Sequence, residues 1–115
     1  MKKFLQSFIY ALKGLWAATG DQRNLKVQFV VACIVVIAGF YFSITAVEWC
    51  IILICISLVT GLELVNTAIE NLVDLVTRER HPLAGKIKDI AAGAVLTVSV
   101  ISLIVGLIIF RKYVV

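Results

Sequence analysis

Between Gly61 and Asp74 the chain reads GLELVNTAIENLVD. Glu63, Glu70 and Asp74 bring three carboxylates into this stretch and Asn66 an amide, while apolar residues continue around them. From Trp49 to Thr60 the only polar side chains leading into it are Ser57 and Thr60. At about 100° per helical residue, Glu63, Asn66, Thr67, Glu70 and Asp74 share one narrow arc. Leu64, Val65, Ala68, Ile69, Leu72, Leu75 and Val76 occupy the other side, and Asn71 alone strays from the polar face. A carboxylate in such a stripe can take a proton from an alcohol. Clustered carboxylates can hold Mg²⁺, and a nearby lysine can neutralise phosphate charge. Lys86, Lys88 and Asp89 return after the short connection TRERHPLAGK.

The cost of the stripe shows that it needs a purpose. The chain has 115 residues, 62% of them hydrophobic and only 16% charged. One domain of this size cannot hide that much apolar surface from water, so a bilayer is the expected solvent. A charged side chain at bilayer depth costs about 2.5–3.5 kcal/mol on the lenient scale. Protons, a metal ion or basic groups from another helix must offset it. Two readings follow from the residues alone: a polar seam of protonated carboxyls that holds helices together, or a metal-capable site at one membrane face.

The elements that position the stripe are all helical, in a single domain covering residues 1–115. Residues 1–19 read as an amphipathic surface helix. Phe4, Leu5, Phe8, Ile9, Leu12, Leu15 and Trp16 recur at helical spacing, with Lys2, Lys3 and Lys13 between them. TGDQRN (19–24) is expected to break it. Membrane spans are expected at about 27–47, 48–76 and 87–110, since about 20 apolar residues suffice to cross. SITAVEW joins the first two spans, with Tyr41 and Trp49 as interface anchors. Lys2, Lys3, Lys13, Arg23 and Lys26 precede the first span, and Arg78, Arg80, Lys86 and Lys88 lie between the second and third. By the positive-inside rule the N-terminus and the second connection face the cytoplasm.

Other chemistries find no support. HPLAGKIKD places Gly85 before Lys86, but no Ser or Thr follows and Arg80 stands where a P-loop has its first glycine. Zinc motifs and a Ser-His-Asp arrangement are missing. Cys33, Cys50 and Cys55 lie in apolar runs and read as small buried residues. No basic, aromatic-rich patch suits nucleic acid. The first residues lack the uninterrupted apolar stretch and cleavage site of a signal peptide.

ELVNTAIENLVD (63–74) followed by KDIAAGAV (88–95) resembles the prokaryotic diacylglycerol kinase family, which includes the undecaprenol kinases. YALKGLWAA (10–18) and Arg23-Asn24 extend the likeness over nearly the whole chain. The resemblance implies an all-α membrane protein: a surface helix plus three transmembrane helices, assembled as a homotrimer in the bacterial inner (cytoplasmic) membrane. Its active sites would lie between subunits at the cytoplasmic face. It implies ATP-dependent, Mg²⁺-assisted phosphorylation of a lipid alcohol, diacylglycerol or undecaprenol, among membrane lipids. Glu63 matches the general base and Glu70 a metal-binding carboxylate that also faces the nucleotide. Asn66, Lys88 and Asp89 match nucleotide and phosphate contacts, and Tyr10, Glu79 and His81 match positions lining the nucleotide. A small transporter or proton-coupled subunit using Glu63 and Glu70, or a catalytically inactive member of the family, are the alternatives.

One departure bears on the metal. Members commonly carry Glu before Arg-Asn as a second metal ligand, and this chain has Gln22 with Asp21 beside it. Neighbouring helical residues point about 100° apart, so Asp21 does not simply replace Gln22. An amide oxygen can bind Mg²⁺ but brings no charge, leaving more of the load to phosphate oxygens. Gln22→Glu is therefore expected to lower the Mg²⁺ concentration needed for half-maximal activity, and Asp21→Asn to do little. The opposite pattern in a Mg²⁺ titration would make Asp21 the ligand.

Overall fold

The computed structural model describes every residue but Gln22, and only the backbone of Thr19, Asp21 and Arg23. Among the described residues every regular element is an α-helix: α1 (Lys2–Asp21), α2 (Arg23–Phe42), α3 (Ala46–Val76) and α4 (Pro82–Val114). The last three, α2 from Asn24 onward, are long and apolar enough to cross a membrane. Helices are the natural solution here, because they satisfy their own backbone groups where no water is available. α3 packs chiefly on α4 as an antiparallel hairpin, α2 lies against α3, and α1 touches both α2 and α3.

Burial confirms the choice of solvent. The chain exposes 9014 Å², whereas a water-soluble monomer of this mass would expose about 6,200 Å². Its buried hydrophobic residues are Leu25, Ile44, Ile52, Val73 and Ile109, and no described side chain is fully enclosed. Phe29, Phe40, Leu58, Ile90, Leu96 and Leu107 all face outward. Such a surface is stable only against lipid or further protein.

The α2–α3 turn is the best-packed part. Ser43 adopts a positive φ of 52° and reverses the chain within Ser43–Thr45. Thr45 caps α3: its Oγ1 accepts from the Glu48 amide at 3.2 Å, and Glu48 Oε1 accepts from the Thr45 amide at 3.0 Å. This reciprocal box satisfies two of the amides a helix start leaves without partners. Glu48 then reaches α4, where Lys112 Nζ lies 2.8 Å from its Oε2 and the Tyr113 hydroxyl donates to its Oε1. Around this knot pack Ile44, Ile52 and Ile109 with Phe42, Trp49 and Phe110. Gly39 is needed there, since a Cβ would sit 2.6 Å from the Trp49 ring.

At the other end of the hairpin, Lys88 Nζ lies 2.7 Å from Asp74 Oδ1. The two ion pairs stand 26 residues apart on α3 (48 to 74) and 24 on α4 (88 to 112). That is about 36–39 Å, more than the roughly 30 Å of hydrocarbon. Both charged ties can therefore reach polar surroundings while the helices between them cross the bilayer.

Three boundaries differ from the sequence reading. The break expected over 19–24 is narrower: α1 runs through Gly20 to Asp21 and α2 starts at Arg23. One glycine lowers helix propensity by only about 1 kcal/mol, which packing can override. SITAVEW is not all connection, because the capping box draws Ala46–Trp49 into α3. Similarly, α4 starts at Pro82 rather than near Ile87, with proline at the first helical position, where its missing N–H costs nothing.

Candidate active site

The stripe occupies the half of α3 nearer the α3–α4 loop. Glu63 is 3% exposed, Asn66 6% and Thr67 6%, so the polar arc faces inward rather than toward lipid. Thr67 Oγ1 donates to the Glu63 carbonyl at 3.0 Å, which satisfies its hydroxyl within the helix. Asn66 Nδ2 donates to Glu70 Oε1 at 3.1 Å, while its Oδ1 is buried with no partner. Among the described residues no hydrogen bond or ion pair reaches the Glu63 carboxylate. An enclosed carboxyl and an unfilled amide acceptor both cost stability. The unfilled Asn66 acceptor one turn from Glu63 makes this stretch the candidate site.

Depth follows from the turn end. Tyr41, Trp49 and Tyr113 surround that end, and such residues favour the membrane–water boundary. Counting from Glu48 at about 1.5 Å per residue, Glu63 lies roughly 22 Å along α3 and Asp74 roughly 39 Å. Glu63 is thus within hydrocarbon depth on the loop side, and Asp74 is beyond it.

Farther along α3, past Glu70, lies a pocket of about 450 Å³, lined by Asp74, Thr77, Arg78, Glu79, Arg80, His81 and Lys88 among others; Glu63, Asn66 and Glu70 do not line it. Glu79, His81 and Lys88 were expected in a nucleotide site, and the fold brings them together here. His81 also caps α4, its Nδ1 accepting from the Leu83 amide at 3.2 Å. Thr77 Oγ1 accepts from the Glu79 amide at 3.2 Å, which shapes the loop. Arg78 and Arg80 were not expected at the site from sequence; their spacing beside His81 was the available signal. Asp89, one residue past Lys88, is exposed and does not line the pocket. Tyr10 is also exposed, on α1, and a single chain does not bring it to the pocket. Gln22 lies outside the described residues, as does the side chain of Asp21.

A second hollow went unnoticed in the sequence. It is a groove of about 480 Å³ between α2, α3 and α4, apolar except for Gln28, Thr60, Ser99 and Ser102. Gln28 Oε1 is buried there without a partner.

Among the described residues no group of three or more Asp, Glu, His or Cys side chains is placed to hold a metal. Glu70, with Asn66 beside it, offers one carboxylate. That donor set fits Mg²⁺ arriving with phosphates, since Mg²⁺ often keeps its waters and takes one or two carboxylates plus phosphate oxygens.

An inward carboxylate on a membrane-length helix is thus followed, along the same helix, by a loop pocket lined by Arg78, Arg80 and Lys88. The sequence profile of the prokaryotic diacylglycerol kinase family matches residues 9–110. The chain belongs to this family. It is 46% identical over 110 residues to the undecaprenol kinase of Bacillus subtilis strain 168, covering 96% of this chain and 89% of that one. It is 39% identical over 103 residues to a Synechocystis diacylglycerol kinase, covering 89% of this chain but only 59% of the longer relative. Identity to the Haemophilus influenzae diacylglycerol kinase is 31% over 107 residues, covering 92% and 91% of the two chains.

The cap makes a separable prediction for His81. Asparagine can also cap a helix, whereas alanine costs about 0.5–2 kcal/mol at such a position. His81→Asn should keep the nucleotide affinity within about threefold of the unaltered protein, and His81→Ala should weaken it further. Equal, large losses for both variants in a nucleotide-binding titration would instead make the imidazole itself a nucleotide contact.

Proposed function

We propose that the protein transfers the γ-phosphate of ATP to the hydroxyl of a lipid alcohol, with undecaprenol favoured over diacylglycerol. The observation that carries this reading is Glu63, a buried residue whose carboxylate has no hydrogen bond or ion pair among the described residues, on the same helix as a loop pocket lined by Arg78, Arg80 and Lys88. Family membership supports a lipid kinase. The undecaprenol preference draws on the 46% identity to the Bacillus enzyme.

In this reading the lipid stays in the bilayer and presents its hydroxyl to Glu63 from the membrane side. The nucleotide enters through the loop pocket from water. The hydroxyl oxygen attacks the γ-phosphorus, its proton passes to the Glu63 carboxylate, and the bond from the γ-phosphorus to the β,γ-bridging oxygen breaks. The lipid leaves as its phosphate monoester and the nucleotide as ADP. Lys88, Arg78 and Arg80 offset the negative charge on the phosphates, which is where most catalysis of such transfers arises. Asn66 orients Glu70, and its free Oδ1 is available to a donor on the reacting lipid or to water. Glu70 would hold Mg²⁺, which when bound supplies charge neutralisation at the β- and γ-oxygens. Glu79 and His81 line the same pocket, and in this reading Asp89 and Tyr10, which a single chain does not bring to it, complete the nucleotide surroundings in the assembled oligomer. The N-terminus and the loop face the cytoplasm of a bacterial inner membrane, a placement that the distribution of basic residues supports.

The test is purified protein with Mg-ATP offered undecaprenol and diacylglycerol in parallel, with Glu63→Gln beside it. Undecaprenol should be phosphorylated faster. Glu63→Gln should lose about 10²–10⁴-fold in turnover, since the amide cannot take the proton, and should still bind ATP. Inside-out vesicles should use added ATP and right-side-out vesicles should not. Near-normal turnover by Glu63→Gln would remove it from the base role.

The reading includes a homotrimer with sites shared between subunits. Its support lies in what one chain lacks among the described residues: Tyr10 does not line the pocket, Glu70 is the one carboxylate offered to a metal, and much apolar surface is uncovered. Mixing inactive Glu63→Gln subunits with inactive Lys88→Met subunits should restore measurable activity. Mixed oligomers shown to be present yet inactive would place each site within one chain.

A further inference from the structure

We propose that Asp74 is a positioning residue, holding the Lys88 ammonium in a fixed place at the mouth of the loop pocket where a nucleotide's phosphates would meet it. The proposal rests on the kinase reading above and gives a role to Asp74, the one carboxylate of the stripe to which the sequence assigned none. Three cationic side chains line this pocket besides the imidazole: Arg78, Arg80 and Lys88. Among the described residues, Lys88 is the one of these with an ion pair, through the 2.7 Å contact from its Nζ to Asp74 Oδ1. Glu79 lines the same pocket, yet among the described residues it forms no ion pair with either arginine. The tie therefore selects the one cation that stands on a helix rather than on the loop.

Its geometry suits positioning better than stability. The two side chains are 38% and 52% exposed, and ion pairs so open to water contribute little to folding. A lysine side chain is long and rich in rotamers, so an unheld ammonium would spread over many positions. Asp74 crosses from α3 to α4 and restricts it. A lysine ammonium carries three donors. Asp74 takes one, which leaves two for phosphate oxygens, so the lysine can hold both partners at once. The carboxylate also lowers the positive charge of the pocket. Losing it should not weaken the attraction for a nucleotide; what is lost is the placement of Lys88 during transfer.

These two effects separate in kinetics. Asp74→Asn should lower kcat about tenfold, while KM for ATP stays the same or falls. Lys88→Met should raise KM and lower kcat by about 10²–10³, as removal of one charge-stabilising donor typically does. Because Asp74 acts through Lys88, the double variant should match Lys88→Met within about twofold, well short of the sum of the two losses. Asp74→Ser serves as a second variant, and circular dichroism in detergent checks that each chain is folded. Additive losses would overturn the proposal by showing that Asp74 touches substrate or metal itself. So would unchanged kcat in Asp74→Asn, or a rise in KM like that of Lys88→Met. An unaltered protein inactive toward both lipid alcohols would bring down the kinase reading, and this one with it. Activity with an additive cycle would bring down the positioning role alone.

Discussion

The antiparallel packing of α3 on α4 is the contact on which the remaining geometry depends. In lipid such helices are held by close packing and by polar contacts between them. A charged tie stands at each end of the hairpin: Glu48–Lys112 with its carboxylate largely buried, and Asp74–Lys88, whose exposed pair agrees with the register but adds little to stability. The Glu48 tie is doubly anchored. Its carboxylate closes the capping box on Thr45 and also receives Lys112 and Tyr113, so the start of α3 and the end of α4 are joined at one group. Lys112 and Arg111 also lie in the last turn of α4, where a cation offsets the helix dipole.

With α3 packed on α4 in this way, the placement of the polar stripe follows. The ties are farther apart than the hydrocarbon is thick, so they tolerate water while Glu63 does not meet it freely. Glu63, Asn66 and Thr67 turn toward the protein rather than the lipid because the exposed arc of α3 is taken by Leu53, Leu58, Val65 and Leu72. The stripe changes character along its length: enclosed at Glu63, half-open at Glu70, and solvated at Asp74. One helix thus carries a polar face that runs from an enclosed position to a solvated one.

Much of this was legible in the sequence because the signals were periodic. The stripe's arc, the three long apolar runs and the return of Lys88 to the level of Asp74 all follow from about 3.6 residues per turn and a short loop. What escaped had no periodic signal. The capping box at Thr45 and Glu48 has the right spacing, but Glu48 read as the beginning of a span rather than as the group that binds α4. Contacts 65 residues apart, such as Tyr113 with Glu48, leave no trace in local pattern. The helical Gly20 shows propensity overridden by context. The pocket arginines Arg78 and Arg80 read as topology signals, and so their place in the pocket lining was hidden. The groove holding Gln28 arises where three helices diverge, which no single segment encodes.

The unsatisfied groups say most about what the single chain is built to accept. Folding leaves few buried polar atoms without partners, and here two amide oxygens, on Asn66 and Gln28, remain so among the described residues. Each is an acceptor, so each calls for a donor: a hydroxyl, water or an N–H. Asn66 lies one turn from Glu63, with its other amide atom already committed to Glu70. A lipid hydroxyl arriving there under the proposed reading has one proton, which it would first share with the Asn66 oxygen on binding and then pass to the Glu63 carboxylate as its oxygen attacks. The same hydroxyl would relieve the cost of leaving that acceptor empty. Substrate binding would then gain from a defect of the free chain. That gain is open to an alcohol and closed to an ester or a bare hydrocarbon, neither of which has a proton to donate. In a membrane full of esters and hydrocarbon, this is the discrimination that a kinase for lipid alcohols needs.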